Sequence, residues 1–262
     1  PPPPPPPPQF SSRRRHTRCQ IQSRGLGDVY KRQAIAGIVA GVGMTVAQHF
    51  VTVPMILKAE VLEQQSSAAE APAPGAAHEH GAEATEHSHD HGEGWAPADG
   101  AERTFFTLLA NVVTGIGFAL LLVAASELLG GLSGWRQGVF WGLAGFVIFT
   151  LAPGLGLAPE LPTMPAAELG ARQLWWVGTV VSTAAALWLM FYVPSLPATV
   201  LAFALLVLPH AIGAPQPASH ESFIPENLHH SFVVAVVMTT LVFWGLLGGL
   251  AGYARERFIG HD

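Results

Sequence analysis

The stretch "FFTLLANVVTGIGFALLLVAASELL", residues 105–129, decides what kind of protein this is. Its single ionisable side chain, Glu127, lies close to its end. A helix needs roughly 20 consecutive apolar residues to cross a hydrocarbon core, and this run is long enough. A second run covers 34–57. Across the chain 12% of residues are charged, against about 25% in an ordinary soluble domain. The expected fold is all-α: a polytopic transmembrane helical bundle.

Extending the same reading gives six spans, at 34–57, 105–129, 136–157, 174–192, 196–213 and 231–252. Five is the rival count, because "FYVPSLPATV" (191–200) places two prolines between the fourth and fifth segments. That pair reads either as two short helices or as one irregular, partly re-entrant unit. Gly37 with Gly41, and Gly248 with Gly252, are small-xxx-small pairs. Such spacing aligns small residues on one helical face, where a neighbouring helix can come close.

Residues 1–33 stand apart. Eight prolines open the chain and an Arg-rich segment without an apolar face follows, which together predict a disordered basic arm. "SSRRRHTRC" and "IQSRGLGDVYKRQ" resemble translated sequencing-adapter DNA, so no function is assigned to the arm. Native sequence is expected from Ala34, with the membrane domain over 34–257 and a His- and acid-rich extramembrane loop over 64–102. Seven of the thirteen basic residues lie in the arm. Without them, Arg136, Arg255 and Arg257 balance Lys58, Arg103 and Arg172, and the positive-inside rule assigns no orientation. The lone Cys19 cannot form an internal disulfide. No folded basic face for nucleic acid is visible.

Polar chemistry concentrates in a few places. "AHEHGAEATEHSHDHGEG" (77–94) holds His78, His80, His87, His89 and His91. H-x-H spacing supplies several imidazoles to one ion without an ordered fold, and such tracts bind metal by composition. The bland alternative is a soluble linker. His49 lies within the first span, where an ionisable group normally turns to the bundle interior. Glu60 follows that span, and Glu160 follows the proline–glycine break "LAPGLGLAPELP" (151–162). His210 sits in "LVLPHAIGAPQP" (206–217), another broken helix of the kind that exposes carbonyls to ions. His229 and His230 open the last span. Imidazole and carboxylate together suit divalent first-row metals.

From the first span onward the chain resembles the CbtA family of predicted cobalt transporter subunits. The resemblance rests on "AGIVAG" (36–41), Pro54 with "AEVLE" (59–63), "PGLGLAPELP" (153–162) and "LPHAIGAPQP" (208–217). It implies a multi-pass protein of the bacterial inner membrane that takes up cobalt for cobalamin synthesis. It further implies a small one-span partner of the CbtB type, periplasmic His-rich loops and cytoplasmic termini. Among the site residues it directs attention to Glu60, Glu160 and His210.

Three functions follow. The first is movement of cobalt, with nickel or zinc as alternatives, through the bundle, the His-rich loop concentrating metal outside. The second is a metal sensor or chaperone that binds without transporting. The third, a membrane metalloenzyme, lacks any recognised catalytic motif, so the chain is expected not to be an enzyme. No cofactor is implied beyond the transported ion. No Walker A sequence is present, so ATP hydrolysis by that route is excluded.

Overall fold

The computed structural model describes residues 13–70, 97–219 and 221–259, with side-chain surroundings for 30–66, 97–219 and 221–257. Its helices are α1 (Arg13–Val51), α2 (Val53–Glu70), α3 (Ala101–Leu128), α4 (Trp135–Gly154), α5 (Leu169–Tyr192), α6 (Leu196–Ile212) and α7 (Glu226–Ile259). Among the described residues, five helices are long and apolar enough to cross a membrane: Tyr30–Val51 of α1, all of α3, α4 and α5, and Glu226–Arg257 of α7.

The expectation of six spans is therefore corrected to five. The segment at 196–213 forms α6, a helix of 17 residues, about 25 Å long against a hydrocarbon core of about 30 Å. Its limits are local. Ser195 caps the start, accepting from the Ala198 amide, Pro197 occupies the first turn, and Gly213 ends the helix at φ 88°. α6 packs antiparallel on α5 as the shorter arm of a hairpin. The first span is also shorter at its end than the expected 34–57. Pro54 has no N–H to offer Phe50, so the helix breaks at Thr52, whose hydroxyl bonds the Gln48 carbonyl, and α2 begins.

The small-residue pairs find their partners. Gly37 and Gly41 meet the backbone of α3 at Gly115 and Asn111, while Gly248 meets α4 at Gly138 and Gly252 meets Gly134, just before that helix. With little apolar driving force between helices in lipid, close backbone approach supplies the contact. The α1–α3 contact carries polar glue as well: Asn111 Nδ2 donates to Thr45 Oγ1 at 3.0 Å and to Gln48 Oε1 at 2.6 Å.

Long-range contacts define two ends of the bundle. At one, Gln33 bonds the Ala251 carbonyl, Arg255 pairs with Glu127, and Glu256 accepts from the Trp135 amide. At the other, Ala59, Leu161, Ile224, Leu228 and Phe232 form one apolar cluster. Glu60, Glu160 and the start of α7 gather there.

Candidate functional site

At the second end, proline shapes the wall of a cleft. Pro153 cannot donate to a carbonyl in the preceding turn of α4. Just before it the helix widens into a π-helical turn, Val147–Leu151, in which the Ala152 amide reaches back to the Val147 carbonyl. Such turns recur at functional sites. Beyond Pro153 the chain leaves the helix, passes Glu160 and enters α5 at Glu168. The Glu168 carboxylate caps that helix, accepting from the Gly170 amide at 2.8 Å and the Ala171 amide at 2.6 Å. These donors hold its pKa below the usual glutamate value. Between the π turn and the first turns of α5 lies a cleft of about 600 Å³ whose lining includes Thr150, Pro153, Glu160, Arg172, Gln173 and Trp176. Within it Arg172 Nη2 stands 3.0 Å from Glu160 Oε2.

Glu60 is held differently. Arg103 of α3 grips it with both guanidinium arms, at 2.7 and 3.2 Å, and also lies 3.4 Å from Asp99. This two-point grip joins α2 to α3. Above it α2 continues to Glu70, about 15 Å along the axis.

The His229 ring approaches the Pro159 carbonyl, Nε2 at 3.1 Å. A carbonyl oxygen only accepts, so this contact requires the tautomer protonated at Nε2. It fastens the start of α7 to the residue before Glu160. A family profile described as "Probable cobalt transporter subunit (CbtA)" matches residues 29–256. The chain belongs to the CbtA family. No curated protein and no solved structure matches it. The family is one of transporter subunits rather than enzymes, and this CbtA chain is a multi-pass membrane protein.

The remaining residues of interest in this CbtA chain separate into distinct places. His210 is half-buried on α6, edge-on to Trp175 with ring centroids 5.9 Å apart, while the Trp175 indole donates to the Pro209 carbonyl at 3.1 Å. Neither ring is among the residues lining the Glu160 cleft. His230 is exposed beside His229. His49 is also exposed, stacked edge-on against Phe50; it stands on the outer face of α1, not in the bundle interior. His78, His80, His87, His89 and His91 lie outside the described residues. Their flanks, Glu70 and Pro97, adjoin the end that carries Glu60 and Glu160. Among the described residues, no three His, Cys, Asp or Glu side chains converge to hold a metal ion.

Arg103 and Arg172 count as charge markers in the sequence; the structure makes them carboxylate partners. Asn111 was also passed over. Its signal was available, as the lone amide within the apolar run 105–126.

Proposed function

We propose that this chain moves cobalt, or a related divalent ion such as nickel or zinc, across the bacterial inner membrane. The observation that carries the reading is the Glu160 cleft. A single carboxylate sits at the edge of the membrane domain, in a partly polar cleft beside a π turn, at the bundle end that also bears the flanks of the His-rich segment. Membership of the CbtA family supports cobalt as the cargo. In this reading the histidines at 78–91 face the periplasm and raise the local metal concentration, and the ion reaches Glu160 from that side. His210 and His229 act near the cleft by holding Trp175 and Pro159. A one-span subunit of the CbtB type is the expected partner, and cobalamin synthesis the expected consumer.

A second reading is a sensor or chaperone subunit that binds the ion and passes it to another protein; the several imidazoles of the His-rich segment support it. Cobalt uptake into proteoliposomes, with and without a one-span partner, separates the two. The transport reading expects flux that falls at least tenfold in Glu160→Gln. Metal binding without flux in either preparation establishes the second.

A further inference from the structure

We infer that Arg172 competes with the incoming cation for Glu160 and yields that carboxylate by turning to Glu168, four residues earlier. The inference rests on the reading of the Glu160 cleft as a cation site.

Three features lead to it. The first is charge balance. A carboxylate at the edge of a membrane domain, among residues such as Leu157, Leu169 and Val177, is costly without a counter-charge. Arg172 supplies that charge at 3.0 Å. A divalent ion at the same oxygen would face the guanidinium as a like charge at close range, so the two exclude one another.

The second is a place for Arg172 to go. Glu168 precedes it by four residues at the start of α5, the acid-before-base order that favours pairing along a helix. The Glu168 carboxylate is exposed and held in place by the Gly170 and Ala171 amides. A carboxylate has about four lone-pair sites, so two remain for a guanidinium. The backbone donors keep Glu168 ionised around neutral pH. One flexible arginine is thus bracketed by an acceptor inside the cleft and another outside it.

The third is contrast with the neighbouring pair. Arg103 holds Glu60 through two contacts and already has Asp99 beside it, a fixed clasp. The Arg172–Glu160 pair rests on one short contact, at 3.0 Å; the two pairs are similarly exposed, so the number of contacts is what separates them. Its partner can be exchanged at small cost.

The test uses the full-length chain with the five histidines of 78–91 changed to asparagine, so that the loop does not mask the cleft. Cobalt binding is measured by equilibrium dialysis at pH 7.5 and, independently, by quenching of Trp176 fluorescence, with Trp176→Phe as reference. Glu160→Gln should abolish the cleft site. Arg172→Gln should tighten it by about fivefold, the worth of a partly exposed ion pair. Glu168→Gln should weaken it by about twofold, the worth of a helical i,i+4 pair. Glu160-dependent binding that Arg172→Gln leaves unchanged or weakens overturns the inference while leaving the cleft reading intact. Equal binding in the parent and Glu160→Gln overturns the cleft reading itself. Should Arg172→Gln fail to fold, the exposed Glu168→Gln decides: unchanged affinity there overturns the inference.

Discussion

Replacing Gly138 by alanine should separate α4 from α7. A methyl carbon at Gly138 would stand 2.1 Å from the Gly248 carbonyl oxygen, and one at Gly248 would stand 2.2 Å from the Gly138 carbonyl. Close C···O contacts settle at about 3.3 Å, so the helices must part by about 1.2 Å or tilt to the same effect. Neither obstacle is a flexible side chain; both are backbone. Overpacking of this kind costs about 1–3 kcal/mol. The assay is unfolding in mixed micelles titrated with SDS, followed by circular dichroism. Gly245→Ala is the internal control, because a methyl there meets nothing within 4 Å although it lies on the same helix as Gly248. It should be neutral or slightly stabilising, since alanine is the better helix former. Equal midpoints for Gly138→Ala and the parent would refute the reasoning, as would an equal loss in Gly245→Ala. The change should also reach the cleft. α4 supplies Thr150 and Pro153 to its wall, and α7 holds Pro159 through His229, so parting the two helices should weaken Glu160-dependent cobalt binding.

Pro209 leaves the Leu205 carbonyl without its helical donor, and Ser182 Oγ of α5 supplies one at 2.6 Å; Ser182→Ala should cost about 1 kcal/mol. Adding Pro209→Ala restores the missing N–H, so the double variant should recover part of that loss in the same unfolding assay. Glu60→Gln should cost only about 0.2–1 kcal/mol, and less in high salt, because both partners are partly exposed; a much larger loss would show that the clasp holds more than α2 and α3. Replacing the five histidines of 78–91 should slow cobalt uptake at low external metal but not at saturation. That difference should fade as the pH falls through the imidazole pKa of about 6.5, and equal uptake by both chains at every concentration would remove the loop from the mechanism.

Apolar run length made the membrane class and most of the spans legible, because a hydrocarbon core sets a length that sequence displays directly. The count failed at α6, where Pro197 and Gly213 bound a helix too short for the criterion. The first span was drawn too far because apolar residues run on past Pro54 to Leu57, while the helix itself breaks at Thr52. The orientation of His49 was not legible from its place in the apolar run. Helical phase alone does not give it either: position 49 stands four residues after Thr45 and eight after Gly41, both buried on α1, yet His49 is exposed. The ion pairs were illegible for a different reason. Glu60 and Arg103 are 43 positions apart with the His-rich segment between them, and no local period encodes such a meeting. The π turn had a local cause, Pro153, but a proline in a helix signals a disturbance without saying which form it takes.

The cleft wall carries a ring that joins an aromatic cluster, which bears on the proposed transport. Trp176 lines the cleft and lies 6.2 Å from Phe149, a residue of the π turn. Phe149 in turn stacks on Trp244 of α7 at 5.7 Å with planes 8° apart, and Phe118 of α3 lies 4.7 Å from Trp244. These rings stand between the Glu160 end and the end where Arg255 pairs with Glu127. Apolar constrictions hold back ions by excluding water, so in the transport reading these rings would oppose passage after the cleft is loaded. The same π turn contributes Thr150 to the cleft and Phe149 to the stack. A change that tightens the turn into an ordinary α-helix must move both, since each residue rotates with the backbone. In the transport reading Pro153→Ala, which supplies the missing N–H, should therefore lower both cobalt binding at the cleft and cobalt flux in proteoliposomes. Arg172→Gln should change binding alone.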